Sequence, residues 1–200
     1  MSKGMTTALF VSVSLGIGTV AAHAQVGSGW TQYSPSRTIQ KVGAGAYYSN
    51  SGGVETFKTR SGDERCEARV NDDYYSGQRQ FQGEVKYLGG DDVAITQIFG
   101  GATGNHAWQT RAFNQSSGEL RGYTSRFLAS GVYNTWVRVN TVHNYPNNTV
   151  TAYINGSNKG TWPGDDPNGV GAKHYHKYGV YMNSQTNPYV QWRSVRFYKK

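Results

Sequence analysis

The stretch His174-Tyr175-His176-Lys177-Tyr178-Gly179-Val180-Tyr181-Met182-Asn183 decides how this chain is read. As a β-strand it places Tyr175, Lys177, Gly179, Tyr181 and Asn183 on one face, because successive side chains alternate across a strand. His174, His176, Tyr178, Val180 and Met182 fall on the other. The first face carries phenols, an ammonium and an amide, with a glycine that leaves the strand bare between them. Such a face predicts a floor for a polar ligand rather than core.

Outward from this stretch, short β-favouring runs alternate with clusters of Gly, Asn, Asp and Ser. Strands are predicted near Ala44–Ser49, Val54–Thr59, Glu64–Val70, Arg79–Tyr87, Val93–Phe99, His106–Phe113, Glu119–Tyr123, Thr135–His143, Thr149–Ile154, His174–Met182 and Val190–Tyr198. Within Arg79–Tyr87, Phe81, Val85 and Tyr87 share a face predicted to be core, and Gln80, Gln82, Glu84 and Lys86 share one predicted to be wet. Asn155-Gly156 closes a hairpin, since Asn-Gly readily takes positive φ. Val26 to Lys41 reads as loop, and Gly160 to Gly171 as a long connection before the decisive stretch. No segment shows a helical stripe of ordinary length. Many short strands without alternating helices predict an all-β, antiparallel two-sheet sandwich.

Two hundred residues suit one domain with a sizeable core. The first 24 read as a secretory signal peptide: Lys3, an apolar run from Ala8 to Ala21, and the small-x-small site Ala22-His23-Ala24. That run is short of the roughly 20 residues a membrane span needs. Residues 25–200 are then the single domain of an exported protein, with no membrane partner, expected to be a monomer. The formal charge of +8 either serves only solubility or points to an anionic partner. Outside a cell that means an acidic polysaccharide; the absence of a Lys/Arg run and of a recognition-helix pattern argues against nucleic acid. A single cysteine, Cys66, excludes an intramolecular disulfide and is expected to be buried and inert.

Three strands carry the candidate chemistry. Arg65, Glu67 and Arg69 share one face, with Cys66 and Ala68 opposite. Two guanidiniums beside a carboxylate are either a cross-strand ion-pair ladder or a fixed cationic surface that grips a carboxylate. In Val93–Phe99, Gln97 can donate to a ligand oxygen, and Phe99 follows on its face. His143 ends its strand, and His174 and His176 share a face. These histidines lack a clear third ligand, so neither a metal site nor a cofactor is expected.

In order along the chain, Arg65-x-Glu67-x-Arg69, Gln97-Ile98-Phe99 and Tyr175-x-Lys177-x-Gly179-x-Tyr181-x-Asn183 resemble motifs of the alginate lyase type of polysaccharide lyase, family 7 and its relatives. Trp136–Gly156 is similar to that family's stretch ending in Tyr-Ile-Asp/Asn-Gly. The resemblance covers about residues 45 to 200. It implies a concanavalin-like β-jelly roll with a concave cleft, and cleavage of a uronic-acid polymer by β-elimination. On that basis Gln97 and Arg65 or Arg69 would neutralise the uronate carboxylate, and Tyr181 would transfer protons. Glu67, Arg69, Lys177, Tyr175, Asn183 and Phe99 would line the substrate. An unperturbed phenol has a pKa near 10, and the Lys177 and arginine charges would favour phenolate.

Three departures weigh on the chemistry. The family's histidine is Phe99 here, its Gln is Asn183, and His176 replaces an aromatic. Without the histidine, Tyr181 would act as both base and acid, which requires syn elimination. The alternative is a non-catalytic carbohydrate- or carboxylate-binding protein on the same scaffold, like the family's citrate-binding relatives.

Overall fold

The computed structural model describes residues 26–60, 64–100, 105–165, 171–181 and 187–200. The expected signal peptide at 1–24 and Asn183 lie outside them. Two antiparallel sheets face each other. One joins, in spatial order, β13 (Ser157–Pro163), β12 (Thr149–Ile154), β11 (Trp136–Asn144), β6 (Gln78–Gly89), β15 (Tyr189–Lys199), β4 (Val54–Lys58) and β3 (Tyr47–Ser51), with β1 (Thr31–Tyr33) paired to β15. The other joins β10 (Arg126–Ser130), β9 (Glu119–Gly122), β8 (His106–Phe113), β7 (Val93–Gly100), β14 (His174–Tyr181), β5 (Arg65–Val70) and β2 (Arg37–Val42). The all-β, two-sheet jelly roll expected from the sequence is therefore present. Among the described residues, no helix is long and apolar enough to cross a membrane.

Each expected strand is found, and four more appear: β1, β2, β10 and β13. The stretches read as loop at Val26–Lys41 and Gly160–Gly171 thus contain β1, most of β2 and the end of β13. All four lie at sheet edges or off the main strand path. An edge strand has one neighbour and much exposed surface, so it lacks the apolar alternation that betrays an interior strand. In β2 the burial runs exposed, exposed, half-buried, half-buried, exposed, exposed.

The core lies between the sheets. Phe81 of β6 packs edge-on to Trp192 of β15 at 5.3 Å and touches Tyr178 of β14 at 5.6 Å. Fully buried side chains of this size contribute roughly 1.5–3 kcal/mol each. The inward face of β6 is as expected, but its other face is not uniformly wet, since Gln80 and Gln82 are each 1% exposed. Gln80 exchanges two 3.1 Å hydrogen bonds with the backbone of Val26, and the Asn140 amide donates to Gln82 at 3.0 Å. The N-terminal segment and the β11 neighbour cover what the β6 sequence alone reads as solvent-facing.

Glu55 of β4 ties the sheets together. It accepts from the Tyr178 hydroxyl at 2.7 Å and the Tyr48 hydroxyl at 2.9 Å, and pairs with Arg37 of β2 at 2.8 Å. Cys66 is buried as expected; its thiol donates to the Tyr47 carbonyl at 3.1 Å, and burial pushes its pKa up to about 11.

His174 and His176 point inward, where they meet His143 and Tyr74. The Tyr74 hydroxyl lies 2.8 Å from His143 Nδ1, and the His143 and His174 rings are 4.8 Å apart. Burial holds His143 and His176 down to about 3, so both are neutral when folded. Unfolded, they titrate near 6.5. Between those values the unfolded chain binds more protons, so stability must fall as the pH falls. We expect a loss approaching about 1.4 kcal/mol per pH unit for each imidazole below that range's upper end. Urea unfolding at successive pH values measures it, and His176→Phe, which keeps a ring beside Phe81 and Tyr74, should flatten the dependence.

Candidate functional site

The outer face of the seven-stranded sheet assembles the motif residues. Lys177 pairs in register with Arg69 of β5 on one side and Gln97 of β7 on the other. Gly179 lies opposite Glu67, Tyr175 opposite Phe99, and Tyr181 opposite Ala94. Chain segments about 30 and 80 residues apart thus become neighbours, as the alternation of each strand requires once they pair. Arg65, Glu67, Arg69, Gln97, Phe99, Tyr175, Lys177 and Tyr181 share this face; Asn183 is outside the described residues.

Gly179 does something other than bare the floor. The register against β7 slips between Tyr178 and Tyr181, and Gly179 sits in that irregularity at φ +136°. A Cβ there would run into the Cys66 carbonyl and come within 2.8 Å of Glu67 Cα. The glycine lets β14 close onto β5 through a conformation that L side chains rarely adopt.

Lys177 and Glu67 lie beneath the surface instead of standing free on it, at 3% and 1% exposure. Their charges are 3.4 Å apart, and Gln97 Nε2 donates to Glu67 at 2.5 Å. Burial raises the Glu67 carboxyl, opposed by the Lys177 and Arg65 charges and the Gln97 hydrogen bond. Burial likewise lowers the Lys177 ammonium, opposed mainly by Glu67. The ammonium rests 4.9 Å above the Phe99 ring. One Gln97 N–H is thereby directed at Glu67, and its Oε1 is buried without a partner among the described residues.

The guanidiniums differ. Arg69 is engaged, with Asp73 at 2.5 Å and Asn71 at 3.0 Å, and stacks on Tyr175 at 4.0 Å. Arg65 has its Nε buried without a hydrogen-bond partner among the described residues. Burial raises the Tyr175 phenol, and the Arg69 charge opposes it.

His106 joins this group unannounced by the sequence motifs. It opens β8 and pairs in register with Phe99. Its ring meets Phe99 edge-on at 5.1 Å and lies 6.5 Å from the Tyr181 ring. Tyr181 is paired five residues farther along β7, so bulged, curved strands must bring these rings together. Burial, then the Lys177 and Arg111 charges, hold the imidazole down to about 4. The sequence signal that could have found it is the β7–β8 hairpin pairing, which sets His106 beside the motif position.

A separate cavity of about 380 Å³, lined in part by Tyr47, Lys58, Arg60 and Tyr189, contains none of these groups. Among the described residues no cluster of three or more His, Cys, Asp or Glu is placed to hold a metal ion.

No family model matches the sequence. A citrate-binding protein of Hevea brasiliensis is 36% identical over 140 residues, which is 68% of this chain and only 56% of that protein. The chain thus spans little more than half the length of that relative. Among solved structures, the family 7 alginate lyase AlyA1 of Zobellia galactanivorans superposes with a TM-score of 0.65 at 16% identity, over 86% of this chain and 95% of that one. The alginate lyase AlyC3, in complex with dimannuronate, superposes with a TM-score of 0.58 at 10% identity, over 72% and 73%. The fold of this chain is the β-jelly roll of the family 7 alginate lyases, whose motif order its sequence also resembles.

Proposed function

We propose that the protein is an exported polysaccharide lyase that cleaves a uronate-containing polymer by β-elimination. The observation that carries this reading is that Tyr181, Arg65 and Gln97 fall on one face of a sheet whose fold is that of alginate lyases. The C5 proton of a uronate is weakly acidic while its carboxylate is charged. Arg65, with its unpartnered Nε, and the remaining Gln97 N–H are the groups to neutralise that carboxylate. Tyr181 is the proton-transfer residue. The C5 proton passes to a basic group of the site, the electron pair of its bond becomes the C4=C5 double bond, the C4–O bond breaks, and the glycosidic oxygen leaves with a proton. Arg69 and Tyr175, stacked on each other, form one wall of the substrate path.

A second reading is favoured by a different observation. The citrate-binding relative and the phenyl ring of Phe99 fit a protein that holds a carboxylate ligand without reacting. Incubation of residues 25–200 with alginate, glucuronan and pectate, followed by ultraviolet absorbance, separates the two. Unsaturated product ends on at least one polymer are the expected result. Saturable binding of citrate or oligouronates with no absorbance growth on any polymer establishes the binding reading instead.

A further inference from the structure

We propose that His106 supplies the imidazole of this site, taking the C5 proton while Tyr181 protonates the leaving oxygen. The inference rests on the lyase reading and assigns a residue that lies outside the three strand motifs. Its basis is placement. Phe99 occupies the β7 position where the motif has a proton-transferring ring, and its phenyl group cannot exchange protons. One strand away, His106 is paired to that very residue and packs against its edge at 5.1 Å. The centres of the imidazole and the Tyr181 ring stand 6.5 Å apart, which puts both side chains within reach of one sugar unit.

The surroundings suit the role. Facing the imidazole are Phe99 of β7, Tyr181 and Lys177 of β14, and Arg111 of its own strand. Tyr123, beyond β9, donates to the His106 backbone carbonyl at 2.8 Å and fixes the start of β8. Partial burial, then the two cations, keep the ring neutral when no ligand is bound, so an acceptor nitrogen is present. A bound uronate adds negative charge beside it and raises its basicity. The steps balance: His106 gains the C5 proton, the pair left behind forms the C4=C5 bond, and the leaving oxygen takes the Tyr181 proton. The imidazolium then returns its proton to the phenolate, restoring both groups. With the transfers divided between two residues, the proton and the leaving oxygen need not lie on the same side of the sugar.

The test compares wild type, H106Q, H106N and the exchange F99H/H106F on the polymer that gives most product, with circular dichroism to confirm folding. Loss of a general base predicts that H106Q and H106N lower kcat by about 10²–10⁴-fold with KM changed little. F99H/H106F should regain at least about tenfold over H106Q, because the imidazole returns one strand away. The acid limb of the kcat/KM profile should vanish in H106Q. Retention of wild-type kcat and acid limb in a folded H106Q or H106N, while Y181F is inactive, overturns the His106 assignment and leaves the lyase reading standing. Absence of product from wild type on every uronate polymer removes both.

Discussion

Tyr181→Phe is expected to abolish unsaturated product while leaving the fold and ligand binding in place. The change deletes one hydroxyl from a half-buried ring whose packing beside His106 survives in phenylalanine. Among the described residues no core group hydrogen-bonds that oxygen, so the urea midpoint should move by under about 0.5 kcal/mol, as for most changes away from buried features. The chemistry depends on it twice, because the phenol supplies the proton for the leaving oxygen and recovers it afterwards. Removing a positioned proton-transfer group typically lowers rates by about 10²–10⁴-fold. The effect should fall on kcat, with the affinity for an oligouronate set by Arg65, Arg69 and Tyr175 and little altered. Initial rates by absorbance, beside oligouronate binding by calorimetry, check both halves. An active Y181F would remove Tyr181 from the mechanism.

Lys177→Met should destabilise the protein by about 3–5 kcal/mol, because breaking one side of a buried ion pair strands the other charge. Methionine nearly fills the space of the lysine stem but leaves Glu67, 1% exposed, facing the Gln97 amide and the Arg65 charge without its ammonium partner. Against a total stability of about 5–15 kcal/mol for a typical domain, that is a large share. The loss should depend on pH in a definite direction. The Glu67 carboxyl is already raised by burial, and removing Lys177 raises it further. The folded state then holds a proton that the unfolded state releases, so the variant gains stability as the pH falls. Glu67→Gln/Lys177→Met should recover most of the deficit, since it removes the stranded charge. Urea unfolding of wild type, Glu67→Gln, Lys177→Met and the double variant at pH 5 and pH 8 measures this; an additive double variant would show that the pair is not coupled.

How far the sequence carried the fold depended on the number of neighbours each strand has. Interior strands such as β6, β7 and β14 are covered on at least one face, and their alternation is written in Phe81, Val85 and Tyr87 or in Tyr178 and Val180. The edge strands β2, β10 and β13 lack that constraint: most of β2 and the end of β13 read as loop, and no strand is expected at β10. For the site, alternation grouped Tyr175, Lys177 and Tyr181 on one face, and pairing brought Arg65, Arg69 and Gln97 beside them. Depth was not legible. Whether an outward residue is covered depends on what crosses it, so Lys177 and Glu67 sank into a buried pair and Gln80 met the backbone of Val26. His106 escaped notice because its place comes from the hairpin partner and from bulges that no single-strand pattern reveals.

Cys66 is silent in chemistry but informative in kinetics. Its sulfur lies wholly inside, between the sheets, and its raised pKa keeps it in the unreactive thiol form. A disulfide reagent can therefore reach it only after β5 is uncovered. Because the chain has no second cysteine, the labelling signal has one source. The rate at which the native protein consumes such a reagent thus clocks the opening of the sandwich next to the strand that carries Arg65 and Glu67. The thiol is a single-site opening sensor on the core side of the strand that carries the candidate site, usable without altering a residue.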